Sequence, residues 1–417
     1  MKKTLMTASA VAMTASIASA GGIERATNDY SLLFKEGDVA SVSVSLVNPT
    51  VTGKFDTGAG SQDSGNVAND YTSLAAVYKR DFGEKMSFGL FLNTPYGADA
   101  AYSDEYYTGL AAEWDSQQIA AVLRYGITDR VSVYGGARYV TSSADITIPG
   151  LAFVDGARDG QARETADAAQ LAALGGADPS SPYHAEYVKK ATNAATLGLV
   201  LASYDSGSDI LDYTAEGKKT GDWGFILGAA YEIPDIALRV GVTWESSITH
   251  TFDTHEVLRG LGIDTNSKTE VEMPQSVTLD FQSGVAKDTL VFGSVKWTEW
   301  SKWEVRPDSF DALTGQEITG YENDTTTWRI GVGRKFNENA SGFAQVRYEK
   351  AHGGEASRLA PTDGMIAFGI GGQFTKDNVS LRGGMEYVKL GDAEVSDGAK
   401  FEGNSAIGFG LALTVSF

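Results

Sequence analysis

Large apolar residues alternate with small residues along the C-terminal segment of the chain. The large residues are Ile407, Phe409, Leu411, Leu413, Val415 and Phe417. Only Gly, Ala, Thr and Ser stand between them. Residues that alternate in this way lie on opposite faces of a β-strand. A soluble sandwich would cover its second face with charge, whereas small residues there fit the interior of a barrel whose outside meets lipid.

Segments with this period recur along the whole chain, and their connections alternate between short and long. We count fourteen, over residues 39–52, 69–82, 85–94, 114–126, 130–142, 221–233, 236–252, 269–285, 288–300, 325–336, 340–350, 363–375, 378–390 and 402–417. Six connections are short and rich in turn residues, at 81–84, 126–129, 233–235, 286–288, 337–339 and 376–378. Short turns at one end and long loops at the other are typical of outer-membrane barrels. The sequence predicts an all-β fold, a transmembrane antiparallel barrel of about fourteen strands over residues 38–417.

Composition excludes several other classes of protein. The chain has no cysteine, so it has neither a disulfide framework nor a thiolate site. Its net charge of -20 leaves no basic stripe for nucleic acid. Glycine is in excess, with 48 in 417 residues and no collagen period. The first twenty residues read as a secretory signal peptide, with Lys2 and Lys3, an apolar run and a small-residue cleavage site at 18–20.

Aromatic residues divide between the two ends of the predicted strands. The seven tryptophans, at 114, 223, 244, 297, 300, 303 and 328, all fall near the long-loop ends. Phenylalanine and tyrosine occupy the tight-turn ends, at 82, 125, 231, 336, 374 and 417. Two belts of this kind are expected where aromatic rings anchor at lipid headgroups.

Three segments carry a resemblance to a known family. Residues 273–281 read MPQSVTLDF, 290–303 read LVFGSVKWTEWSKW, and 118–138 read QIAAVLRYGITDRVSVYGGAR. These segments resemble the FadL family, outer-membrane transporters of long-chain fatty acids and other hydrophobic compounds. The resemblance implies an N-terminal hatch inside the barrel, here residues 21–37, and lateral release of ligand beside a kinked third strand. A flexible N-terminal arm is the alternative for residues 21–37, which are short and lack the family's Asn-Pro-Ala signature.

The third strand carries a break that matches this expectation. Alternation runs from Met86 to Leu92 and stops at Asn93, Pro95 and Gly97. Proline removes a ladder donor, and glycine loosens the backbone that follows. These three residues are the predicted lateral gate; the alternative is that the proline only ends a short strand.

Two long loops, at 143–220 and 253–268, carry apolar residues. The first also has two helix-prone runs, over 161–174 and 187–201. The apolar residues are Leu197, Leu199, Leu201, Val257, Leu258, Leu261 and Ile263. Exposed apolar clusters usually mark a binding site, and in the resembling family these loops capture the ligand. The alternative is that the two loops pack on each other as a lid, and both can hold together.

Charged residues on the lumen faces of the strands include Arg138 and Arg329, the predicted partners of a ligand carboxylate. Most interior charges are expected to pair with each other. The four histidines do not form a convincing metal site, and no Ser-His constellation can be assembled, so neither a cofactor nor catalysis is predicted.

The predicted function is passive transport of long-chain fatty acids or other hydrophobic compounds across a Gram-negative outer membrane. The alternatives are a diffusion porin for polar solutes and a barrel hydrolase. The expected partners are the hydrophobic ligand, outer-membrane lipids, and the outer-membrane assembly machinery, which would recognise the strand that ends at Phe417. Nucleic acid is not an expected partner.

Overall fold

The computed structural model describes residues 22–56, 58 and 60–417, so the predicted signal peptide lies outside the described residues. Within them the chain forms a barrel wall of fourteen strands, of which three are interrupted. These are β1 (Val39–Thr50), β2 (Tyr71–Phe82), β3 (Met86–Asn93 and Gly97–Ala101), β4 (Ala111–Gly126), β5 (Val131–Ile148), β6 (Tyr213–Ile233), β7 (Leu238–Glu245 and Ile248–Leu258), β8 (Ile263–Met273 and Ser276–Ala286), β9 (Thr289–Thr298), β10 (Thr325–Lys335), β11 (Ala340–Glu349), β12 (Met365–Lys376), β13 (Val379–Leu390) and β14 (Ser405–Ser416).

The wall closes on itself because the first and last strands pair. Each strand is antiparallel to its neighbours, and β1 pairs with β14 from Val39↔Ser416 to Thr50↔Ser405. Closure removes the unpaired edges that lipid could not satisfy. The predicted fold, a fourteen-stranded antiparallel barrel, is confirmed.

The two faces of the wall differ as the alternation predicts. Outward side chains such as Leu74, Ile330 and Phe409 are more than half exposed, at 65%, 57% and 51%. A barrel in lipid covers these side chains with acyl chains. The prediction of the tryptophan belt was wrong for Trp114, Trp300 and Trp303, because the side chains of all three are buried. Trp223 and Trp328 face outward.

The outer loops contain more regular structure than the sequence suggested. Helices α1 (Leu151–Ala173) and α2 (His184–Asp205) form a hairpin between β5 and β6. Residues 253–268, predicted as a loop, instead extend β7 and β8 into a hairpin around a short turn at Arg259–Leu261. Thr254 and Glu256 face inward there and are buried. Because these inward residues are polar, the sequence does not show the alternation that marks the other strands.

Further loops complete a cap over the outer end of the barrel. Helix α3 (Asp308–Thr314) follows β9, beside a two-stranded ribbon. Five short strands from three different loops form a second sheet, at Gly53–Asp56, Ser61–Asp63, Glu355–Ala356, Ala393–Val395 and Lys400–Phe401. Among the described residues, neither of the long helices is apolar enough to span a bilayer.

The two longest interruptions of backbone pairing in the wall lie between β2 and β3 and between β6 and β7. Strands β2 and β3 pair up to Ala76↔Leu92, and a single bridge at Ala68↔Ala100 follows further out. Strands β6 and β7 pair up to Ile226↔Glu245 and resume at Gly217↔Thr254. Each seam resumes in the register in which it stopped. The gaps are therefore missing rungs of a ladder, with no change of register across either seam. Against β4, on its other side, β3 shifts by one residue between Asn93↔Gln118 and Gly97↔Asp115.

Candidate functional site

The gap between β2 and β3 contains all three residues of the predicted gate. After Asn93, β3 no longer pairs with β2. Backbone contact between the two segments resumes at the hydrogen bond from Asn69 N to Asp99 O, which is 3.1 Å long. Residues 70–75 and 93–98 face each other across this stretch without ladder pairs in the described chain. We call this opening the window.

The N-terminal segment, residues 22–38, bonds to β3 where the window opens. Pro95 O accepts hydrogen bonds from Arg25 N at 2.8 Å and Ala26 N at 3.3 Å. Gly97 N donates to Ile23 O at 2.8 Å. Pro95 has no N–H group to donate to β2. No hydrogen bond from this residue to β2 is therefore lost where its carbonyl bonds to the N-terminal segment instead. A side chain on Gly97 would collide with Arg25, whose Nε lies 2.4 Å from the position of a Cβ atom.

The remainder of the N-terminal segment packs against the lumen face of the wall. Tyr30 and Leu33 lie in a buried cluster with Phe91 and Tyr134. The Phe34 ring lies between two guanidinium groups, those of Arg124 at 4.4 Å and Arg239 at 4.9 Å. Lys79 Nζ donates to Lys35 O at 2.7 Å and Gly37 O at 2.9 Å. These contacts fix the segment at both of its ends.

A cavity of about 160 Å³ lies between the N-terminal segment and strands β7 to β11. Its lining combines aromatic residues with many charged ones, among them Glu245, Asp280, Lys296, Arg329, Arg347 and Glu386. Several of these groups pair with each other, as at Arg347 Nη2 to Glu386 Oε2, 3.0 Å. Lys296 also pairs with Glu24 of the N-terminal segment.

The two predicted carboxylate partners occupy different environments. Arg138 donates to Ser246 O at 2.7 Å and lies 3.5 Å from Glu245, so its guanidinium is engaged at the break in β7. Arg329 lines the charged cavity, 3.9 Å from Asp280, and its Nε has no hydrogen-bond partner in the described structure. The structure does not bring these two arginines together.

The predicted apolar loop residues fall into two groups. Leu201 is buried in the core of the helical hairpin, and Leu258 is buried in the main core of the cap. Val257, Leu197, Leu261 and Ile263 are partly buried, whereas Leu199 is 74% exposed. The two loops do touch, because a Cβ atom on Gly260 would lie 2.8 Å from Val200 Cγ1. The packing of one loop on the other matches the predicted lid.

Packed aromatic rings close the outer end of the lumen beneath this lid. Trp300 and Trp303 lie 6.3 Å apart, and Tyr321 lies within 5.4 Å of both, measured between ring centroids. Trp114 contacts Phe252 and Trp303 at 5.4 and 6.1 Å. These rings therefore form one packed aromatic layer beneath the outer loops.

A group that the sequence reasoning missed lies in the gap between β6 and β7. Ser142 Oγ is 3.1 Å from His250 Nε2, and His250 Nδ1 is 2.8 Å from Asp222 Oδ2. Ser142 and His250 are fully buried, so this group holds three strands together and does not meet a substrate. Ser142 and Asp222 face inward by strand parity, whereas the inward parity of β7 changes from odd to even numbers across the break between Glu245 and Ile248, which brings His250 to the same face. The described residues contain no cluster of three or more potential metal ligands from His, Asp or Glu.

Comparisons with known proteins place this barrel among solved ones. The family model described as "Outer membrane protein transport protein (OMPP1/FadL/TodX)" matches residues 4–417. A Pseudomonas aeruginosa FadL homologue is similar in structure, with a TM-score of 0.67, 13% identity, and coverage of 94% of this chain and 93% of that one. The P. putida toluene transporter TodX gives a TM-score of 0.60, 14% identity and coverage of 94% and 93%.

The Ralstonia pickettii toluene transporter TbuX is also similar, with a TM-score of 0.54, 13% identity and coverage of 92% and 90%. Identities this low show a shared fold. A comparison with curated protein sequences gives no match.

Proposed function

The chain belongs to the outer membrane protein transport protein family (OMPP1/FadL/TodX), and from this premise we propose that it carries long-chain fatty acids and releases them sideways through the window. Family membership makes it an outer-membrane transporter of hydrophobic compounds, and its structural relatives are channels rather than enzymes. The identity of the ligand and its route are our proposal.

The observation that carries the proposal is a cavity at the window whose lining includes residues from both faces of the wall. Its lining includes the inward side chains of Phe91 and Asn93. It also includes Leu74 and Leu92, which point outward and are 65% and 42% exposed. A hydrophobic molecule here lies between lumen and lipid, and transfer of its chain from water into lipid favours overall uptake by about 0.8 kcal/mol per CH₂ group.

Capture is the first step of the proposed route. We assign it to the outer loops, to Leu197 and Leu199 of α2 and to Val257, Leu261 and Ile263 of the β7–β8 hairpin. The exposure of Leu199 and the contact between the loops at Gly260 support this assignment. The buried Leu201 and Leu258 would hold the loops in place. The N-terminal segment acts as the hatch that separates the lumen from the periplasm.

A cysteine at the window gives a direct test, because the natural chain has none. Ala75 faces inward on β2 and lines the cavity. Ala75→Cys should support oleate uptake in a strain that lacks its own transporter, and alkylation of the cysteine with a bulky maleimide should abolish that uptake. Pro95→Val, which restores a donor opposite β2, should lower uptake in the same assay.

The matched control is Leu279→Cys, a lipid-facing position on β8 at the other side of the barrel. Its alkylation should leave oleate uptake unchanged. Normal uptake by the alkylated Ala75→Cys protein would rule out the window as the exit. Toluene should be assayed alongside oleate, because two relatives are named toluene transporters.

A diffusion porin for polar solutes is the second candidate, and the charged lining of the lumen cavity favours it. A porin would pass ions at open-channel conductance in planar bilayers. A barrel closed by the hatch and by the aromatic rings of the cap would not.

A further inference from the structure

The gap between β6 and β7 is closed by side chains where the backbone ladder stops. Residues 218–224 of β6 face residues 247–253 of β7 without ladder pairs in the described chain. At about 3.3 Å per residue, the gap is roughly 23 Å long. We call this stretch the β6–β7 seam.

Three inward side chains of β7 fill the β6–β7 seam. Ile248, His250 and Phe252 are all buried. They lie against small residues of β6, because a Cβ atom on Gly224 would be 2.8 Å from Ile248 Cγ1 and one on Gly217 would be 3.3 Å from Phe252 Cδ1. A closure made by side chains depends on their rotamers, which change without breaking a backbone ladder.

His250 also bonds across the seam. Its Nδ1 is 2.8 Å from Asp222 Oδ2 on β6, and its Nε2 is 3.1 Å from Ser142 Oγ on β5. The Asp222 side chain is 37% exposed, whereas that of His250 is 0% exposed. Solvent therefore reaches the carboxylate end of the bond that crosses the seam, and water can compete for it.

A small apolar cavity lies directly behind the seam. It measures about 20 Å³, and Phe252 lines it together with Trp114 and Val271. Its hydroxyl groups, on Thr254 and Thr269, bond to each other at 2.8 Å, and none of the described residues that line it is charged. A cavity that holds benzene measures about 150 Å³, so Phe252 must rotate away before such a molecule fits.

The seam begins at the level of the outer lipid headgroups. Trp223 faces outward and is 66% exposed, with its ring 5.0 Å from that of Tyr139 on β5. In the register that β6 and β7 keep, Trp223 stands opposite Ile248. Exposed aromatic rings of this kind anchor at the headgroup level. An apolar compound dissolved in the outer leaflet therefore meets the seam without passing the outer loops.

We propose that the β6–β7 seam is a side port, through which uncharged apolar compounds pass from the outer leaflet into the aromatic layer beneath the cap. Ile248, His250 and Phe252 form its gate, and the bond between His250 and Asp222 is its latch. The uncharged lining of the cavity disfavours a charged head group. This inference rests on the transport of hydrophobic compounds and adds an entry route to it; it depends neither on oleate nor on the window.

A disulfide across the seam tests the port. Gly224→Cys combined with Ile248→Cys brings two thiols within reach, because a Cβ atom at 224 already meets the Ile248 side chain. The probe is decane that carries a diazirine, added to the purified full-length barrel in phosphatidylcholine vesicles. Light should attach it to Phe252 and Trp114 in the natural barrel. Oxidation of the double variant should abolish this labelling, and dithiothreitol should restore it.

The matched control joins β6 to β5 instead. Gly135 and Leu227 are directly paired in an unbroken part of that ladder, so Gly135→Cys with Leu227→Cys forms a disulfide that leaves the seam free. Its oxidation should leave the labelling of Phe252 unchanged. Labelling that persists in the locked barrel, or that is absent from the natural one, would overturn the proposal.

Removal of the latch should act in the opposite direction. Asp222→Ala deletes the acceptor across the seam and should raise the labelling of Phe252 about fivefold, as expected for the loss of one hydrogen bond. Asp253→Ala is the control, because Asp253 pairs with Lys268 inside the β7–β8 hairpin. Equal labelling of the two variants would refute the latch. Asp222→Ala also carries the test if the double cysteine variant does not fold.

A second probe tests the preference for uncharged compounds. Decanoate with the same diazirine should label Phe252 less than the decane probe does, each measured relative to its labelling of the lipid-facing Leu279. Equal relative labelling would contradict this preference. Oleate uptake plays no part in these measurements. The fatty-acid route fails separately, if the alkylated Ala75→Cys protein still takes up oleate while the seam is labelled as expected.

Discussion

Glu256 is a buried carboxylate that joins three outer loops. It accepts hydrogen bonds from Tyr213 Oη at 2.8 Å, Ser267 Oγ at 3.0 Å, and the N–H groups of Ser309 and Phe310, both at 3.0 Å. The last two donors belong to the first turn of α3, which otherwise leaves them unsatisfied. One side chain therefore ties α3 to the β7–β8 hairpin and to the start of β6.

Replacing Glu256 with Gln should loosen the cap without unfolding the wall. The glutamine amide would point N–H donors at groups that are themselves donors. We therefore expect the free energy of unfolding of the cap to fall by about 2 kcal/mol. Limited proteolysis of the outer loops on intact cells would measure it. Glu270→Gln, at an exposed position on the same hairpin, is the control and should resist the protease like the natural chain. Equal resistance of both variants would contradict this role for Glu256.

Asp397 makes the cap sensitive to acid. Burial alone would raise the pKa of Asp397, but hydrogen bonds from Tyr106 and Arg358 outweigh it and hold this pKa below its ordinary value. Arg358 Nη2 lies 2.8 Å from Asp397 Oδ2. A carboxyl whose pKa falls on folding stabilises the folded state above its unfolded pKa, about 3.9, and this stabilisation disappears as pH falls through the folded value.

The thermal stability of the cap should therefore fall steeply as the pH drops below about 4. Asp397→Asn should be less stable at pH 7 and should lose less on acidification, because the titrating group is gone. Thermal unfolding between pH 7 and pH 2 measures both. Parallel pH profiles of the two proteins would show that Asp397 does not contribute.

At the scale of elements, β4 and β5 approach each other closely at Gly136. A Cβ atom there would lie 1.9 Å from Ala121 O, a backbone atom that cannot move aside. Gly136→Ala should therefore destabilise the barrel by about 1–3 kcal/mol. The temperature at which the barrel unfolds, followed by the shift in its electrophoretic mobility, measures the change. At Gly333 on β10 the nearest atom is 3.9 Å away, so Gly333→Ala should behave like the natural chain.

Alternation of large and small residues was enough to predict the strands of the wall. It succeeded because Leu411 and its neighbours must face lipid while the small residues between them face inward. It failed for the hairpin at Phe252 to Leu258, where water replaces lipid outside and both faces carry polar residues. The break at Pro95 could be placed from proline chemistry. Residues 23–26, which bond to the chain at that break, could not be identified from the sequence. The pairing is long-range, and no pattern links the two segments.

Charged groups in the lumen were harder to predict than the strands. Strand parity indicated that Arg138 and Arg329 face inward, which the structure bears out. Parity does not say which arginine has a carboxylate within reach. That depends on the strand stagger around the whole barrel, which sets Arg138 beside Glu245 and leaves Arg382 without an ion pair among the described residues.

At the scale of the whole molecule, the N-terminal segment and the wall form one unit. Deleting residues 22–37 removes the contacts to Lys79, Phe91 and Glu245 and empties the lower lumen. Single-channel conductance in planar bilayers should then rise from near zero to that of an open pore. A deletion variant that stays closed would show that the outer cap alone blocks the lumen.

The two unpaired seams have a mechanical consequence. They bound a panel of four strands, β3 to β6, that is joined to the rest of the cylinder by shortened ladders on both sides. Such a panel has fewer backbone hydrogen bonds to the rest of the wall than the other ten strands have to each other, although the Ser142, His250 and Asp222 group still joins β5 and β6 to β7. Amide hydrogens of residues 71–75 and 218–224 should exchange with solvent faster than those of β10 to β13. Because both seams keep their register, the missing rungs can form without any strand slipping.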